Sequence, residues 1–187
     1  MSKTLMGLGL ALVSGCGPEF QEGALRDTPE ETGTVGQGLT FLNGSFETGP
    51  SIPSGCSVGT TSSTAFSGWT LAGSATVLAS CAKTPANGAR SIVLNSGTIS
   101  QTFTTVVGGG YTVTFAHSIA PGCTAGNAYT DISYQGTTYN FFVNSSAWAT
   151  RNVVFNATST TTTLTFKNTY TSGGCRMALD NVTVTGP

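Results

Sequence analysis

The chain has 187 residues, and with seven Lys and Arg against eight Asp and Glu only 8% of it is charged. A typical soluble domain is about 25% charged, and a net charge of −1 excludes the basic footprint of a nucleic-acid partner. A hydrophobic share of 39% excludes a disordered chain. The excess of Thr, Val, Phe and Tyr over Leu, Glu and Lys favours strands over helices.

In chain order, Lys3 precedes an apolar run from Leu5 to Val13. The run is too short to span a bilayer, which needs about 20 residues, and it suits a secretory signal. Val13-Ser14-Gly15-Cys16 then resembles a bacterial lipobox, in which cleavage precedes a Cys whose thiol carries diacylglycerol. The resemblance implies a lipoprotein signal peptide over 1–15, lipidation of Cys16 and a membrane anchor. It places the exported protein at the bacterial outer membrane or cell surface, Gly17 rather than Asp following the Cys. The alternative is an ordinary signal peptide with an incidental Cys. Residues 16–38 carry Glu19, Glu22, Asp27, Glu30 and Glu31, are broken by Pro18 and Pro29, and show no apolar period. They read as an acidic flexible tether, which leaves 39–187 as one domain.

With Cys16 assigned to lipid, Cys56, Cys81, Cys123 and Cys175 remain. An even number in an exported chain implies two disulfides, for which about three connectivities exist. The proximity of neighbouring loops favours Cys56–Cys81 with Cys123–Cys175. There is no C-x-x-C pair and a single His, which argues against zinc.

Period-two alternation marks the body. In 111–117, Tyr111, Val113, Phe115 and His117 share one face and Thr residues occupy the other. Similar patterns predict strands at 69–71, 75–79, 91–94, 99–103, 132–134, 139–143, 153–155, 164–166 and 180–184, the last aligning Asp180 with Val182 and Val184. Gly108-Gly109-Gly110, Gln135-Gly136 and Gly173-Gly174 supply turns. With no helical stripe, the expectation is an all-β antiparallel sandwich.

Five words recur in order: Phe41-Leu42-Asn43-Gly44-Ser45-Phe46-Glu47, Ser67-Gly68-Trp69-Thr70, Ser100-Gln101-Thr102-Phe103, Gly110-Tyr111-Thr112-Val113-Thr114-Phe115 and Leu179-Asp180-Asn181-Val182-Thr183-Val184. Together they resemble the galactose-binding-like jelly rolls, over about residues 39–186. Relatives of that kind include choice-of-anchor surface proteins, a plant cell-wall family and carbohydrate-binding modules. The resemblance implies a jelly roll with Phe46 and Trp69 in its framework. It also implies a structural Ca²⁺ between Glu47 and Asp180, with carbonyls around 44–48 completing the oxygen shell. The alternative is that both carboxylates accept hydrogen bonds that lock the strand ends.

Catalysis is poorly supplied. Beyond the tether only Glu47, Asp131 and Asp180 are acidic. A two-carboxylate glycosidase would consume the Glu47–Asp180 pair. His117 is the sole candidate base, and it closes an apolar strand face. Binding is easier to build, because sugar sites set aromatic rings beside a few fixed polar groups. The aromatic-rich segment 129–142 supplies Tyr129 and Asp131, and Arg90 and Arg176 are further candidate contacts. The expectation is a non-catalytic surface module that recognises polysaccharide. The alternative is a structural or adhesive envelope protein that binds another protein.

Overall fold

Alternating branched, aromatic and hydroxyl side chains suit a pleated surface buried on one side. Among the described residues nine strands form: β1 (Ser57–Thr60), β2 (Thr70–Ala79), β3 (Arg90–Thr104), β4 (Gly110–Ile119), β5 (Ala128–Tyr134), β6 (Thr137–Val143), β7 (Ala149–Asn156), β8 (Thr161–Asn168) and β9 (Met177–Thr185). The structure, a computed structural model, describes residues 39–124, 126–169 and 175–187. The signal peptide, Cys16 and the tether expected over 1–38 lie outside the described residues.

Every pairing is antiparallel, in the order β6-β5-β8-β3-β9-β4-β7, with β2 on the other side of β3 and β1 beyond it. β3 belongs to two layers of the sandwich. Its residues 98–104 pair with β8, while its residues 92–94 pair with β9. The change of layer occurs where the β2–β3 register slips between Ser74 and Ala75 and leaves Asn95 as a bulge. Gly73 (φ 111°) and Gly97 (φ 84°) cross there so closely that a Cβ on Gly97 would lie 1.8 Å from the Ala72 carbonyl oxygen. Asn168 closes the fork between β8 and β9 by donating to the Leu94 carbonyl at 2.7 Å.

This bend corrects the predicted strand breaks. The gaps left between the predicted strands hold Gly73 and Ser96-Gly97, which are the corner of one long hairpin, so 69–71 joins 75–79 and 91–94 joins 99–103. β1 was not expected, since Ser57-Val58-Gly59-Thr60 offers a single branched apolar residue.

The inner faces of the two layers meet through rings. Phe115 of β4 meets Phe166 of β8 with centroids 5.4 Å apart, and Tyr134 of β5 stacks on Phe155 of β7 at 4.6 Å. Burial of each such ring contributes roughly 1.5–3 kcal/mol. Phe46 and Trp69 lie in this core, as the resemblance implied. The words that carry the resemblance also touch one another. Gln101 brackets the backbone of Leu42 with two hydrogen bonds, Trp69 donates to the Asn43 carbonyl, and Val182 N–H donates to Gly44.

One facing expectation changes. Asn181 adopts φ 48° and the β4–β9 register shifts between Thr114 and Ala116. This bulge reverses the parity of β9, so Leu179 and Val182 enter the main core while Asp180 points away from it. The loops are fastened by disulfides Cys56–Cys81 and Cys123–Cys175, each of a kind that contributes roughly 2–4 kcal/mol.

Candidate functional site

The residues singled out from the sequence fall in different places. Glu47, Asp180 and Arg90 gather beneath the 80–89 loop, which crosses the outer side of the β4–β9 layer. Asp180 Oδ2 accepts from the N–H groups of Ala86 (2.7 Å) and Asn87 (3.0 Å), and Oδ1 accepts from Asn181 N–H (2.7 Å). Glu47 Oε1 accepts from the N–H groups of Ala89 (2.9 Å) and Arg90 (3.1 Å). The Arg90 guanidinium, half-buried, donates to the Pro50 carbonyl. Trp148 completes the clamp: its indole N–H donates to Thr84, and the Lys83 ammonium lies 4.7 Å from its ring centroid. At Gly88 (φ 68°) a Cβ would fall 2.2 Å from Glu47 Oε1, so the loop passes at backbone distance from the carboxylate.

These contacts decide what the carboxylates can hold. Calcium takes about six to eight oxygen ligands. Here five backbone N–H groups point at three of the four carboxylate oxygens, and among the described residues only Glu47 Oε2 is without such a donor. Among the described residues no third His, Cys, Asp or Glu joins them. The donor set therefore fits the hydrogen-bond lock and does not fit a calcium ion. Burial pushes the Asp180 carboxyl up to about 6, with the Glu47 charge adding to it, against the three N–H groups that favour the anion.

His117 lies inside the sandwich, fully buried, with its ring 5.5 Å from Phe115. Neither ring nitrogen has a hydrogen-bond partner among the described residues. Burial, helped by the Arg151 charge, pushes its pKa down to about 4, so the imidazole is neutral at pH 7. Asp131 is not beside it: its carboxylate accepts from Asn140 Nδ2 at 2.8 Å.

Tyr129 and Asp131 occupy the outer face of the other layer, where antiparallel register arranges the side chains in rows. Tyr129 pairs with Phe142, Asp131 lies between Asn140 and Lys167, and Ser133 lies between Thr138 and Thr165. Successive rows are about 6.8 Å apart along the strand. The two rings are 6.4 Å apart and tilted by 41°, with Tyr129 38% and Phe142 57% exposed. Asn127 donates to the Tyr129 hydroxyl. At the far end a groove of about 370 Å³ runs between Ser133, Gln135, Thr138, Thr163 and Thr165. Aromatic rings, an amide–carboxylate pair and a hydroxyl-lined groove thus share one surface. Sequence reasoning singled out Tyr129 and Asp131 but not their partners. Phe142 and Asn140 stood in the same aromatic-rich segment, whereas Lys167 reaches the site only through register.

Arg176 lies elsewhere, on the outer side of the β1–β2–β3–β9–β4 layer, donating to Asn95 Oδ1 at 3.1 Å.

A family model described as a protein of unknown function, DUF642, matches residues 39–185. The chain belongs to the DUF642 family. No curated protein matches it. Among solved structures, this DUF642 chain is similar to the C-terminal domain of EclA, a sugar-binding protein, at 18% identity and a TM-score of 0.41 over 46% of this chain. It spans 64% of that domain, just under two thirds. The xylan-binding CBM22-1 domain of Paenibacillus barcinonensis Xyn10C is 14% identical, with a TM-score of 0.48 over 64% of this chain and 85% of its own. A CBM35 from Paenibacillus barcinonensis is 22% identical, with a TM-score of 0.47 over 70% of this chain and 98% of its own. The described residues of the DUF642 domain form an all-β antiparallel sandwich, and carbohydrate-binding modules are among the solved structures to which it is similar.

Proposed function

We propose that this DUF642 chain is a non-catalytic module that binds polysaccharide on the outer face of β6, β5 and β8. The observation that carries the reading is the exposed Tyr129–Phe142 pair beside the Asn140–Asp131 hydrogen bond and the hydroxyl-lined groove. A pyranose offers an apolar C–H face to the rings and hydroxyls to the amide, carboxylate, Ser and Thr groups around them. Large exposed rings in one cluster mark a contact surface. The non-catalytic reading is supported by what the acids already do: Glu47 and Asp180 hold a loop, and His117 is sealed in the core. The proposal includes the anchor, in which lipid on Cys16 and the acidic tether display the domain at the bacterial outer membrane or cell surface.

A glycan array probed with the full chain tests the binding. The expected result is retention on at least one polysaccharide, reduced tenfold or more in Y129A/F142A. No glycan signal, together with a protein partner captured from envelope extracts, would instead support the adhesive reading. For the anchor, C16S is expected to move the chain from the membrane fraction to the soluble fraction.

A further inference from the structure

The opposite side of the sandwich carries a second hollow that the polysaccharide reading leaves unused. Two adjoining hollows, each of about 230 Å³, share Ala120, Pro121 and Arg176 in their walls. Leu78, Val93 and Ala120, which pack with Ala178 as a small apolar cluster apart from the main core, line one of them. The polar rim is tied together. Arg176 donates to Asn95 Oδ1 at 3.1 Å, and Asn95 Nδ2 donates to the Thr76 hydroxyl at 2.8 Å. Asn95 is the residue that the layer-changing bulge turns out of the ladder.

Among the described residues no carboxylate compensates the charge at this place. The three carboxylates of the domain are committed elsewhere: Glu47 and Asp180 to the 80–89 loop, Asp131 to Asn140 on the other layer. Arg176 therefore presents an exposed guanidinium whose bond to neutral Asn95 orients it without neutralising it. A guanidinium carries five N–H donors in a planar fork that matches a carboxylate in a bidentate pair. An apolar floor with one oriented guanidinium on its rim matches a ligand that is apolar on one side and carries a carboxylate at its edge. Within a polysaccharide, that description is met by a uronate residue.

We propose that the Arg176 hollow is a second subsite that recognises the carboxylate of an acidic sugar, so that the DUF642 chain selects uronate-containing polysaccharide. The inference rests on the polysaccharide reading and names the ligand class. Charge complementarity is its basis, and Arg rather than Lys is required because the contact is bidentate.

The test is affinity electrophoresis of the full chain through gels containing polygalacturonate or its fully methyl-esterified form, which keeps the sugar rings and removes the charge. The expected result is retardation at least tenfold stronger in the acidic gel, lost in R176A and only partly kept in R176K. R151A removes an equal charge from the edge strand β7 and is expected to leave retardation unchanged. Equal retardation by both polymers, or full retardation of R176A, overturns the uronate subsite and leaves the polysaccharide reading in place. Full retardation lost in R151A as well overturns the subsite in favour of unspecific charge attraction. No retardation in any gel, with no glycan-array signal, overturns both readings. Unchanged circular dichroism and melting temperature of R176A show that the loss is not one of folding.

Discussion

The two layers of the sandwich use the same kinds of side chain for opposite ends. On the β4–β9 layer, Asp180 and Glu47 are surrounded by five backbone N–H groups, and Trp148 and Lys83 clamp the loop above them. On the β5–β6–β8 layer, Asp131 accepts from Asn140, and Tyr129 and Phe142 are exposed, with no loop of the described residues crossing them. A carboxylate in the first region is structure, and one in the second is surface. The difference is decided by whether a loop crosses the sheet, and the loop crosses where the Asn181 bulge turns Asp180 outward to meet it.

This contrast can be broken at either side. The largest expected effect is from Asp180→Ala, which strands the N–H groups of Ala86, Asn87 and Asn181. An unmade buried hydrogen bond costs about 1–3 kcal/mol, so a loss of about 3 kcal/mol or more is expected in urea denaturation. Next is Gly88→Ala. A Cβ there meets the Glu47 carboxylate at a positive φ, and strain of this kind costs about 1–3 kcal/mol. Asp131→Ala, by contrast, is expected to change stability by less than about 0.5 kcal/mol, as for an open surface site.

The pH dependence sharpens the comparison further. Asp180 has its carboxyl raised to about 6, so between the ordinary carboxylate value of 3.8 and 6 the native state holds a proton that the unfolded state has released. Its contribution to stability therefore falls as pH rises through that window. His117 is lowered to about 4 from 6.5, so between 4 and 6.5 the unfolded state binds the extra proton and stability rises with pH. The two slopes oppose one another from about pH 4 to 6. Melting temperatures across that range are expected to rise with pH in D180N and to fall in H117L, relative to a flatter wild type. Parallel profiles for all three proteins would show that neither group titrates as its burial dictates. The smallest expected effect is that of calcium. Millimolar Ca²⁺ or a chelator is expected to leave the melting temperature unchanged, and a clear stabilisation by Ca²⁺ would show that the N–H groups around Glu47 and Asp180 yield to a cation.

Much of the fold is legible in the residues themselves. Strict alternation in Tyr111-Thr112-Val113-Thr114-Phe115-Ala116-His117 determines which side of β4 is buried, and His117 follows Phe115 into the core. What alternation cannot convey is a change of parity or of layer. Glycines at 73 and 97 look like ends because a tight turn and a close strand crossing both exclude a Cβ. Asn181 interrupts the period of β9, and the one cue along the chain is that Leu179 and Val182 differ in parity, which the alignment of Asp180 with Val182 and Val184 overlooks. The site is legible in the same partial way. Tyr129 and Asp131 are conspicuous as local residues, whereas Lys167 and the Asn95–Arg176 pair are assembled by register and by a bulge. Arg90 looks like a free cation in the sequence, and only the fold of the 80–89 loop places the Pro50 carbonyl at its guanidinium.

The central claim is that the uncovered layer binds polysaccharide while contributing little to folding. The direct test is to measure glycan retention and melting temperature together for wild type and Y129A/F142A. A cross-strand aromatic pair contributes roughly 0.2–1 kcal/mol, so the melting temperature is expected to move only slightly while retention falls tenfold or more. Retention unchanged in the double variant, or lost only in step with unfolding, would contradict the account.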